Sequence, residues 1–214
     1  MSRATKQTKS AAAGRPVDHQ RRAELLDAVV DYTVEHGFSD LSWRPVAAAL
    51  GVSTTTLVHR FGAKEQMLEA ILERLRERML AAAAEALPEH PDLPTAARAA
   101  WTLTSDAQRA PEFRLFFAVY GRALQAPQEF ADFLQHVVAD WMSALRHAQG
   151  PHTDAAEATR VATLVIATIR GLLLDLLATG DRARVQDAAE SFFASLQDET
   201  PRRPKAMRRN DGRG

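Results

Sequence analysis

Apolar residues recur at every third or fourth position along most of this chain, the spacing that places them on one face of an α-helix. A first helix is predicted from an N-cap at Asp18 to a stop at Gly37. Further helices are predicted over 42–50, from Ser53 or Thr54 to about Phe61, and over 63–86, with glycines marking the breaks between them. The last of these helices has an apolar face that consists of Met67, Leu68, Ile71, Leu72, Leu75 and Met79.

The segment 87–94 separates this part from the rest of the chain, because it contains Pro88, Pro91 and Pro94. Beyond it every periodic segment is helical, and no run shows the alternation of a β-strand. The predicted helices cover 94–109, 112–125, 127–148, 154–179 and 182–197. The pattern therefore predicts an all-α fold of about nine helices.

Composition refines this division. The chain of 214 residues is 46% apolar, which is enough for a buried core, and its formal net charge of zero conceals an excess of basic residues at both ends. We predict a disordered basic arm at 1–17, a first domain with its connecting helix at 18–86, a second domain at 94–198 and a disordered basic tail at 199–214. Basic ends of this kind act as arms for nucleic acid or as solubilising tails, and composition leaves both interpretations open.

Several absences bear on location. The chain has no cysteine, which removes disulfides and thiolate metal sites and suits a reducing cytoplasm. The N-terminal region lacks the apolar run of a signal peptide. The longest apolar stretch, 161–178, is interrupted by Thr163, Thr168, Arg170 and Asp175, so we interpret it as a buried helix and not as a membrane span. We therefore expect a cytoplasmic protein without a membrane partner.

Residues 41–61 have the spacing of a helix-turn-helix. Two short helices that cross steeply need a small residue where they approach, here Ala47, and a glycine at the turn, here Gly51. The residues that can form their small shared core are Val46, Leu50, Val52, Leu57 and Phe61. The outward positions of the second helix carry donors and small groups suited to a DNA major groove, namely Thr54, Thr55, Thr56, Val58, His59 and Arg60. The same spacing also fits a helical hairpin that does not bind DNA.

These residues resemble the TetR family of one-component bacterial regulators. The resemblance covers roughly residues 20–75 and rests on Gly37-Phe38, Ser42, Val46-Ala47, Gly51-Val52-Ser53, Thr56-Leu57-Val58-His59-Arg60-Phe61 and Lys64-Glu65. The rest of the chain resembles the family only in architecture. One position departs from the family pattern, since Val58 stands where a tyrosine that contacts a phosphate is common. That contact is either lost here or supplied by Arg60.

The resemblance implies a role for each matching position. Ser42, Thr56 and Lys64 are expected to hold phosphates, with backbone amides at the helix starts. Base edges are expected to face Thr54, Thr55 and His59, while Arg60 reaches a base or the backbone. The full predicted DNA-binding set is Ser42, Arg44, Thr54, Thr55, Thr56, His59, Arg60 and Lys64. The basic arm through Arg15 is a further candidate for contact with the minor groove.

The resemblance also implies a homodimer in which the last two helices pair with their copies in a second chain. A helix-turn-helix that reads a two-fold operator needs two copies, which favours the same conclusion. The predicted interface residues are Leu164, Thr168, Leu172, Asp175, Val185, Ala189, Phe192 and Leu196. An intramolecular core is the alternative interpretation, and the two are compatible because these helices are apolar over a wide arc.

Helices 94–148 are rich in aromatic residues that suit either a core or an apolar pocket for an unknown small hydrophobic effector. The predicted ligand-binding residues are Trp101, Phe113, Phe116, Phe117, Tyr120, Phe133, His136, Trp141 and Arg170. Thr104 is a further polar candidate. Arg170 lies within an apolar run and needs an acidic, intersubunit or anionic ligand partner.

The sequence has no positive sign of catalysis. It contains no phosphate-binding glycine loop, no nucleophile elbow and no metal-ligand spacing among its seven histidines, so we predict neither an enzyme nor a cofactor. We predict a dimeric DNA-binding regulator, most simply a repressor released from a palindromic operator by a small molecule, with helix 63–86 moving as a lever. Two alternatives stay open: a DNA-binding dimer without an effector, and a helical enzyme or carrier with a fortuitous hairpin.

Overall fold

A computed structural model describes residues 15–37 and 41–198, and the described residues are helical with no strand. The helices are α1 Arg15–His36, α2 Trp43–Ala49, α3 Thr54–Phe61, α4 Lys64–Ala86, α5 Leu93–Thr104, α6 Ala110–Gln125, α7 Ala131–His147, α8 Ala155–Thr179 and α9 Arg182–Asp198, with a 3-10 turn at Ala107–Arg109. The all-α prediction is confirmed for this part of the chain. Of the predicted disordered arm 1–17, residues 1–14 lie outside the described residues and 15–17 lie in α1; the predicted tail 199–214 lies outside the described residues as well.

The helix boundaries differ from the predicted ones in three places. α1 begins at Arg15, so Asp18 lies inside the helix and is not its N-cap. Pro16 is compatible with this start because proline is tolerated in the first turn of a helix. The predicted helix 94–109 is broken after Thr104, because Asp106 accepts a backbone hydrogen bond from Gln108 (2.9 Å) and opens a separate 3-10 turn. α7 begins four residues later than predicted, after a turn at 127–130.

The chain divides into two compact units. The first unit comprises the described residues up to Ala82 together with Pro111–Gln135, and the second comprises Ala83–Ala110 and the described residues from His136 onward. The division differs from the predicted one because the apolar face of α6 joins the core of the first unit. That core contains Val29, Val30, Leu41, Val46, Leu57, Phe61, Met67, Ile71, Leu75, Leu115, Val119, Ala123 and Phe130.

The second unit is built around α5, α8 and α9. Its buried apolar residues on these helices include Ala96, Ala97, Ala100, Trp101, Ala162, Val165, Ile169, Leu173, Val185, Ala189, Phe193 and Leu196. Two side-chain hydrogen bonds join α9 to α5 and to the residue that follows α5, Ser105. The indole Nε1 of Trp101 donates to Gln186 (2.9 Å), and Arg182 donates to the carbonyl of Ser105 (2.8 Å).

Helix α8 is buried on one face only. Among the described helices it has the length and apolar composition needed to cross a membrane, but 33% of that stretch is buried within the chain, and core helices pass the same test. Val165, Ile169 and Leu173 lie in the core, whereas Leu164 and Leu174 are 57% and 52% exposed. The prediction of a buried helix therefore holds for the face that packs in the second unit and not for the opposite face.

Candidate nucleic-acid interface

Helices α2 and α3 form a tight helix-turn-helix in the first unit. Ala47 is buried where the helices approach, and its carbonyl accepts a hydrogen bond from the backbone amide of Val52 (3.0 Å) across the turn. Gly51 has a φ of +64°, a backbone conformation in which a side chain is strained. The small residue and the glycine thus have the structural roles that the sequence predicts for them.

The N-terminus of α3 is closed by a side-chain cap. The hydroxyl of Ser53 accepts a hydrogen bond from the backbone amide of Thr56 (3.0 Å) and lies 2.8 Å from the Thr56 hydroxyl. The Thr56 hydroxyl, predicted to hold a phosphate, therefore also takes part in capping the helix. A hydroxyl has one donor and two acceptor sites, so this pairing leaves it hydrogen-bonding capacity for a further partner.

The eight residues of α3 separate cleanly into a buried and an exposed side. Leu57 and Phe61 are buried in the core of the first unit. Thr55, Thr56 and His59 are exposed on the side away from that core, and Thr54, in the first turn of the helix, is exposed as well. An α-helix with its side chains is about 10–12 Å in diameter, which matches the width of the major groove of B-DNA.

Positive charge and donors surround α3. Exposed side chains beside it include Ser42 and Arg44 near the start of α2 and Lys64 at the start of α4. Together with the exposed polar residues of α3 they form what we call the polar head surface, defined as Ser42, Arg44, Thr54, Thr55, Thr56, His59 and Lys64. Arg60 is half-buried, so of the predicted DNA-binding residues it is the one set back from this surface.

Arg22 of α1 holds the C-terminal end of α3, a role that the sequence did not reveal. Its Nε donates to the carbonyl of Arg60 (3.2 Å), and its guanidinium carbon lies 5.8 Å from the centre of the Phe61 ring. Cations stabilise the negative end of a helix, so this contact fixes α3 against α1. The two residues are 38 positions apart, and no local sequence signal connects them.

The start of α4 is fixed by Gln66, whose side-chain oxygen accepts a hydrogen bond from the backbone amide of Ala63 (2.8 Å). Gly62 ends α3 with a φ of +79°, and a Cβ at this position would lie 1.8 Å from the same Gln66 oxygen. The positive φ strains any residue with a side chain and so favours glycine between the two helices, whereas the flexible Gln66 side chain is the smaller obstacle. The geometry places Lys64 one turn beyond the end of α3, at a positively polarised helix start.

An ion-pair network joins α1 to α4. Arg74 contacts both carboxylate oxygens of Asp27 (2.7 and 3.0 Å), and Arg78 bridges Asp27 and Asp31 (2.7 and 2.6 Å). The hydrogen bond from Arg74, with a further contribution from Arg78, lowers the pKa of Asp27 to about 2. The network thus holds α4 in a fixed register on α1 within the first unit.

The structure distributes the predicted ligand-binding residues over both units. Half-buried rings of Phe116, Phe117, Tyr120 and Phe133 form a cluster in the first unit, with neighbouring ring centres 5.3 to 6.1 Å apart. Phe113 belongs to the first unit and is buried. The members that lie in the second unit are Trp101, His136, Trp141 and Arg170.

Three polar candidates for ligand contact are engaged within the second unit. Trp101 is 3% exposed and its indole nitrogen bonds Gln186. Thr104 donates to the carbonyl of Ala100 one turn earlier in α5. Arg170 donates to the backbone carbonyl of Val137, and not to one of the acidic, intersubunit or ligand partners predicted for it. Their hydrogen bonds therefore account for these groups without a ligand.

A small apolar cavity lies in the second unit, with about 20 Å³ open to a water-sized molecule. Its wall consists of Ala83, Ala86, Leu87, Ala96, Ala99, Ala100, Leu103, Trp141, Ala144 and Leu145. Of the predicted ligand-binding residues, Trp141 reaches it. No group of three or more potential metal ligands occurs among the described residues.

The predicted dimer residues fall into two classes. Val185, Ala189 and Leu196 are buried within a single chain, so these three are core residues rather than exposed interface positions. The reason is that the apolar stripe of α9 faces α5 and α8 of its own unit. Exposed or half-exposed positions are Leu164, Thr168, Leu172, Asp175 and Phe192. Asp175 is paired with Arg184 through two hydrogen bonds of 2.8 Å.

Comparison with known proteins identifies relatives of this arrangement. Residues 25–71 match the profile of the family described as bacterial regulatory proteins, tetR family. A transcriptional regulator from Rhodococcus sp. Rha1 is 26% identical, with 83% of this chain and 96% of that chain covered and a TM-score of 0.70. The comparison with curated proteins gives no match.

Two further solved structures share the fold. Salmonella enterica GusR is 24% identical, with 87% of this chain and 97% of that chain covered and a TM-score of 0.61. The multidrug binding protein EbrR, solved in complex with imidazole, is 23% identical, with 88% and 97% covered and a TM-score of 0.61. The chain therefore shares its helical fold with these solved structures.

Proposed function

We infer that this chain, which belongs to the tetR family of bacterial regulatory proteins, represses transcription as a homodimer that occupies a palindromic operator until a small molecule releases it. The observation that supports DNA binding is the polar head surface. Its hydroxyls and cations lie on and beside a capped helix whose opposite side is buried. Such a surface offers donors to phosphates and to base edges, and little else in the first unit requires it.

The homodimer is proposed from the exposed face of α8. Leu164, Ala167, Gly171 and Leu174 succeed one another at helical spacing and are all exposed, and we call them the α8 strip. A Cβ added to Gly171 would meet nothing within its own chain. A glycine within a helix costs about 1 kcal/mol relative to alanine. Close approach of a second helix would explain why that cost is tolerated, and a two-fold axis would bring the strip onto its own copy.

The effector is proposed to be small, uncharged and apolar. The cavity in the second unit is lined by alanines, leucines and Trp141, and offers no charged group. Its present size admits little more than one or two waters, so an effector would have to bind a state in which the cavity is larger. The similar structure of EbrR, a multidrug binding protein, was solved in complex with imidazole, which supports a small-molecule effector but not its apolar character.

Coupling to DNA is proposed to run along α4. Ala83 and Ala86 near its C-terminal end line the cavity, and Lys64 at its N-terminal end belongs to the polar head surface. One continuous helix of 23 residues thus connects the two. If cavity expansion moves its C-terminal end, effector and DNA weaken each other's binding by the same factor. The small cavity also favours the alternative of a DNA-binding dimer without an effector, which predicts that no small apolar molecule changes DNA affinity.

A salt titration tests the DNA-binding proposal. The purified chain is titrated onto DNA from the region upstream of its own gene and onto scrambled DNA, at several salt concentrations. Each phosphate contact contributes about −0.9 to the slope of log affinity against log salt. We expect Lys64→Ala to make the slope shallower by about one contact per subunit. Thr56→Ala, which removes a hydroxyl from the exposed side of α3, should also weaken DNA binding.

The matched control is Arg146→Ala, which removes an exposed positive charge from the second unit and should leave the slope unchanged. Equal slopes for wild type, Lys64→Ala and Arg146→Ala would contradict the placement of Lys64 at a phosphate. A chain that binds all DNA weakly, and that enriches no sequence from random duplexes, would contradict the regulator itself and favour an enzyme or carrier.

A further inference from the structure

Val58 is an apolar side chain presented to solvent on α3. It is 47% exposed, although its neighbour Leu57 is fully buried. It lies three positions after Thr55 and four after Thr54, so the three residues share one side of the helix. Val58 is thus the aliphatic member of an otherwise polar exposed surface.

The stability of the helix does not explain a valine at this position. A β-branched residue loses side-chain freedom in a helix, and α3 has only eight residues. The side chain also leaves nearly half of its surface in water, so its burial contributes little. A polar or straight-chain residue would serve the fold at least as well.

The major groove of DNA provides a partner for such a group. Among the base-pair edges displayed there, every recognition feature is a hydrogen-bond donor or acceptor except the 5-methyl group of thymine. An aliphatic side chain on the helix that enters the groove therefore has one complementary partner. Thr54 and Thr55, which also carry a side-chain methyl group, lie on the same side of α3 as Val58.

We propose that Val58 is a specificity-determining residue that contacts a thymine 5-methyl group in each half-site of the operator. This inference rests on the proposed function, because it requires α3 to enter the major groove. It assigns sequence preference to an apolar contact, beside the hydrogen bonds available to Thr55 and His59. It also means that the half-site contains at least one thymine whose methyl group, and not only its base pair, determines affinity.

The experiment removes the methyl group from the DNA and the side chain from the protein. The wild-type chain first selects its preferred duplex from a random library. Each thymine of that duplex is then replaced singly by deoxyuridine, which differs only in lacking the methyl group. Dissociation constants are measured at one salt concentration for wild type, Val58→Ala and two control variants.

For wild type we expect one thymine position per half-site at which deoxyuridine weakens binding about fourfold, the effect of one buried methyl group. Val58→Ala should bind the thymine duplex several-fold more weakly and lose almost nothing further at that position. Thr55→Ser, which removes a methyl group from the same side of α3, and Leu124→Ala, an exposed leucine on α6, should keep the fourfold loss.

Three results overturn the inference while leaving DNA-binding function in place. They are a selected half-site without thymine, an absence of any deoxyuridine effect, and an effect that is the same in Val58→Ala as in wild type. A deoxyuridine effect abolished by Thr55→Ser but not by Val58→Ala transfers the contact to Thr55 and also overturns it. A selection that enriches no sequence contradicts the proposed function, and the inference fails with it.

Discussion

The two units bury similar side chains but leave different chemistry exposed. In the first unit, α3 buries Leu57 and Phe61 and exposes hydroxyls, an imidazole and neighbouring cations. In the second unit, α8 buries Val165 and Leu173 and exposes leucines, alanine and glycine. Both helices pack one face on a core, yet the exposed side of α3 is mainly polar, whereas α8 presents an apolar strip opposite its buried face.

This difference indicates what each surface is suited to bind. Exposing a polar and basic surface to water costs little free energy, and such a surface is suited to a charged partner such as the DNA backbone. Removing an exposed aliphatic strip from water is favourable in free energy, so the strip is suited to contact with another apolar surface. A second copy of the chain always offers such a surface. Substitutions can change either surface and leave the other one intact.

The largest expected effect concerns the distinction between core and surface in α9. Phe193 is fully buried, with the guanidinium carbon of Arg98 5.1 Å from its ring centre, whereas the adjacent Phe192 is half-buried. We expect Phe193→Ala to lower the free energy of unfolding by about 3–5 kcal/mol, because it leaves a large cavity. Urea unfolding at a fixed protein concentration measures this, since the stability of a dimer depends on concentration.

Phe192→Ala serves as the matched control for that experiment. It removes the same ring from the next position, 5.6 Å away between ring centres. Its effect on unfolding should be clearly smaller, and any effect should grow with protein concentration if Phe192 lies at the dimer interface. An equal loss of unfolding free energy for the two variants would contradict the burial of Phe193, and not of Phe192, in the core of the single chain.

The first unit was predictable from sequence to a degree that the second was not. The helix-turn-helix is specified by local signals, since Ala47, Gly51 and the Ser53 cap all act within a few residues of one another. α3 begins at Thr54, one of the two predicted starts, and ends at Phe61, near the predicted end, and the turn residues have the predicted roles. Arg22 escaped prediction because its contact with the end of α3 depends on tertiary packing, which no local pattern encodes.

The bundle was less predictable because periodicity reports an apolar arc and not its partner. Val185, Ala189 and Leu196 lie on a clear stripe of α9, but the stripe faces α5 and α8 of the same chain. The aromatic-rich helices likewise predicted a pocket, whereas the observed cavity is small and lined mainly by alanines. Which apolar residue faces a core, a ligand or a second chain is decided by packing.

An intermediate effect is expected when the α8 strip is made polar. Leu174→Asp places a carboxylate at a position that is 52% exposed in the single chain. Folding of the monomer should be nearly unaffected, but a carboxylate within an apolar interface would be desolvated. We expect dimer dissociation to be at least about thirtyfold easier, equivalent to about 2 kcal/mol, as measured by sedimentation velocity.

Leu124→Asp provides the control, because Leu124 is 66% exposed on α6 of the first unit. It introduces the same charge at an exposed leucine outside the strip and should leave the dissociation constant unchanged. If both substitutions dissociate the dimer equally, the strip is not the specific interface. If neither does, the dimer uses a different surface, or the chain is monomeric.

The smallest expected effect compares carboxylates of the two units in acid. Asp27, paired with two arginines, has a pKa of about 2 in the folded chain, below its ordinary value of 3.8. A lowered pKa stabilises the folded state above the unfolded value, and the stabilisation is lost as the pH falls from about 4 to about 2. Because its side chain is 33% exposed, solvent screening limits the contribution to about 1 kcal/mol. Asp27→Asn should abolish that part of the pH dependence of urea unfolding.

Asp175→Asn makes the corresponding change in the second unit. Its pair with Arg184 also lowers the pKa of Asp175, but the pair lies in solvent, so we expect a weaker dependence over the same pH range. A larger acid effect from Asp175 than from Asp27 would reverse the comparison. It would mean that Asp175 is buried in solution, and the exposed edge of α8 near Arg184 would then be the first place to look for the second chain.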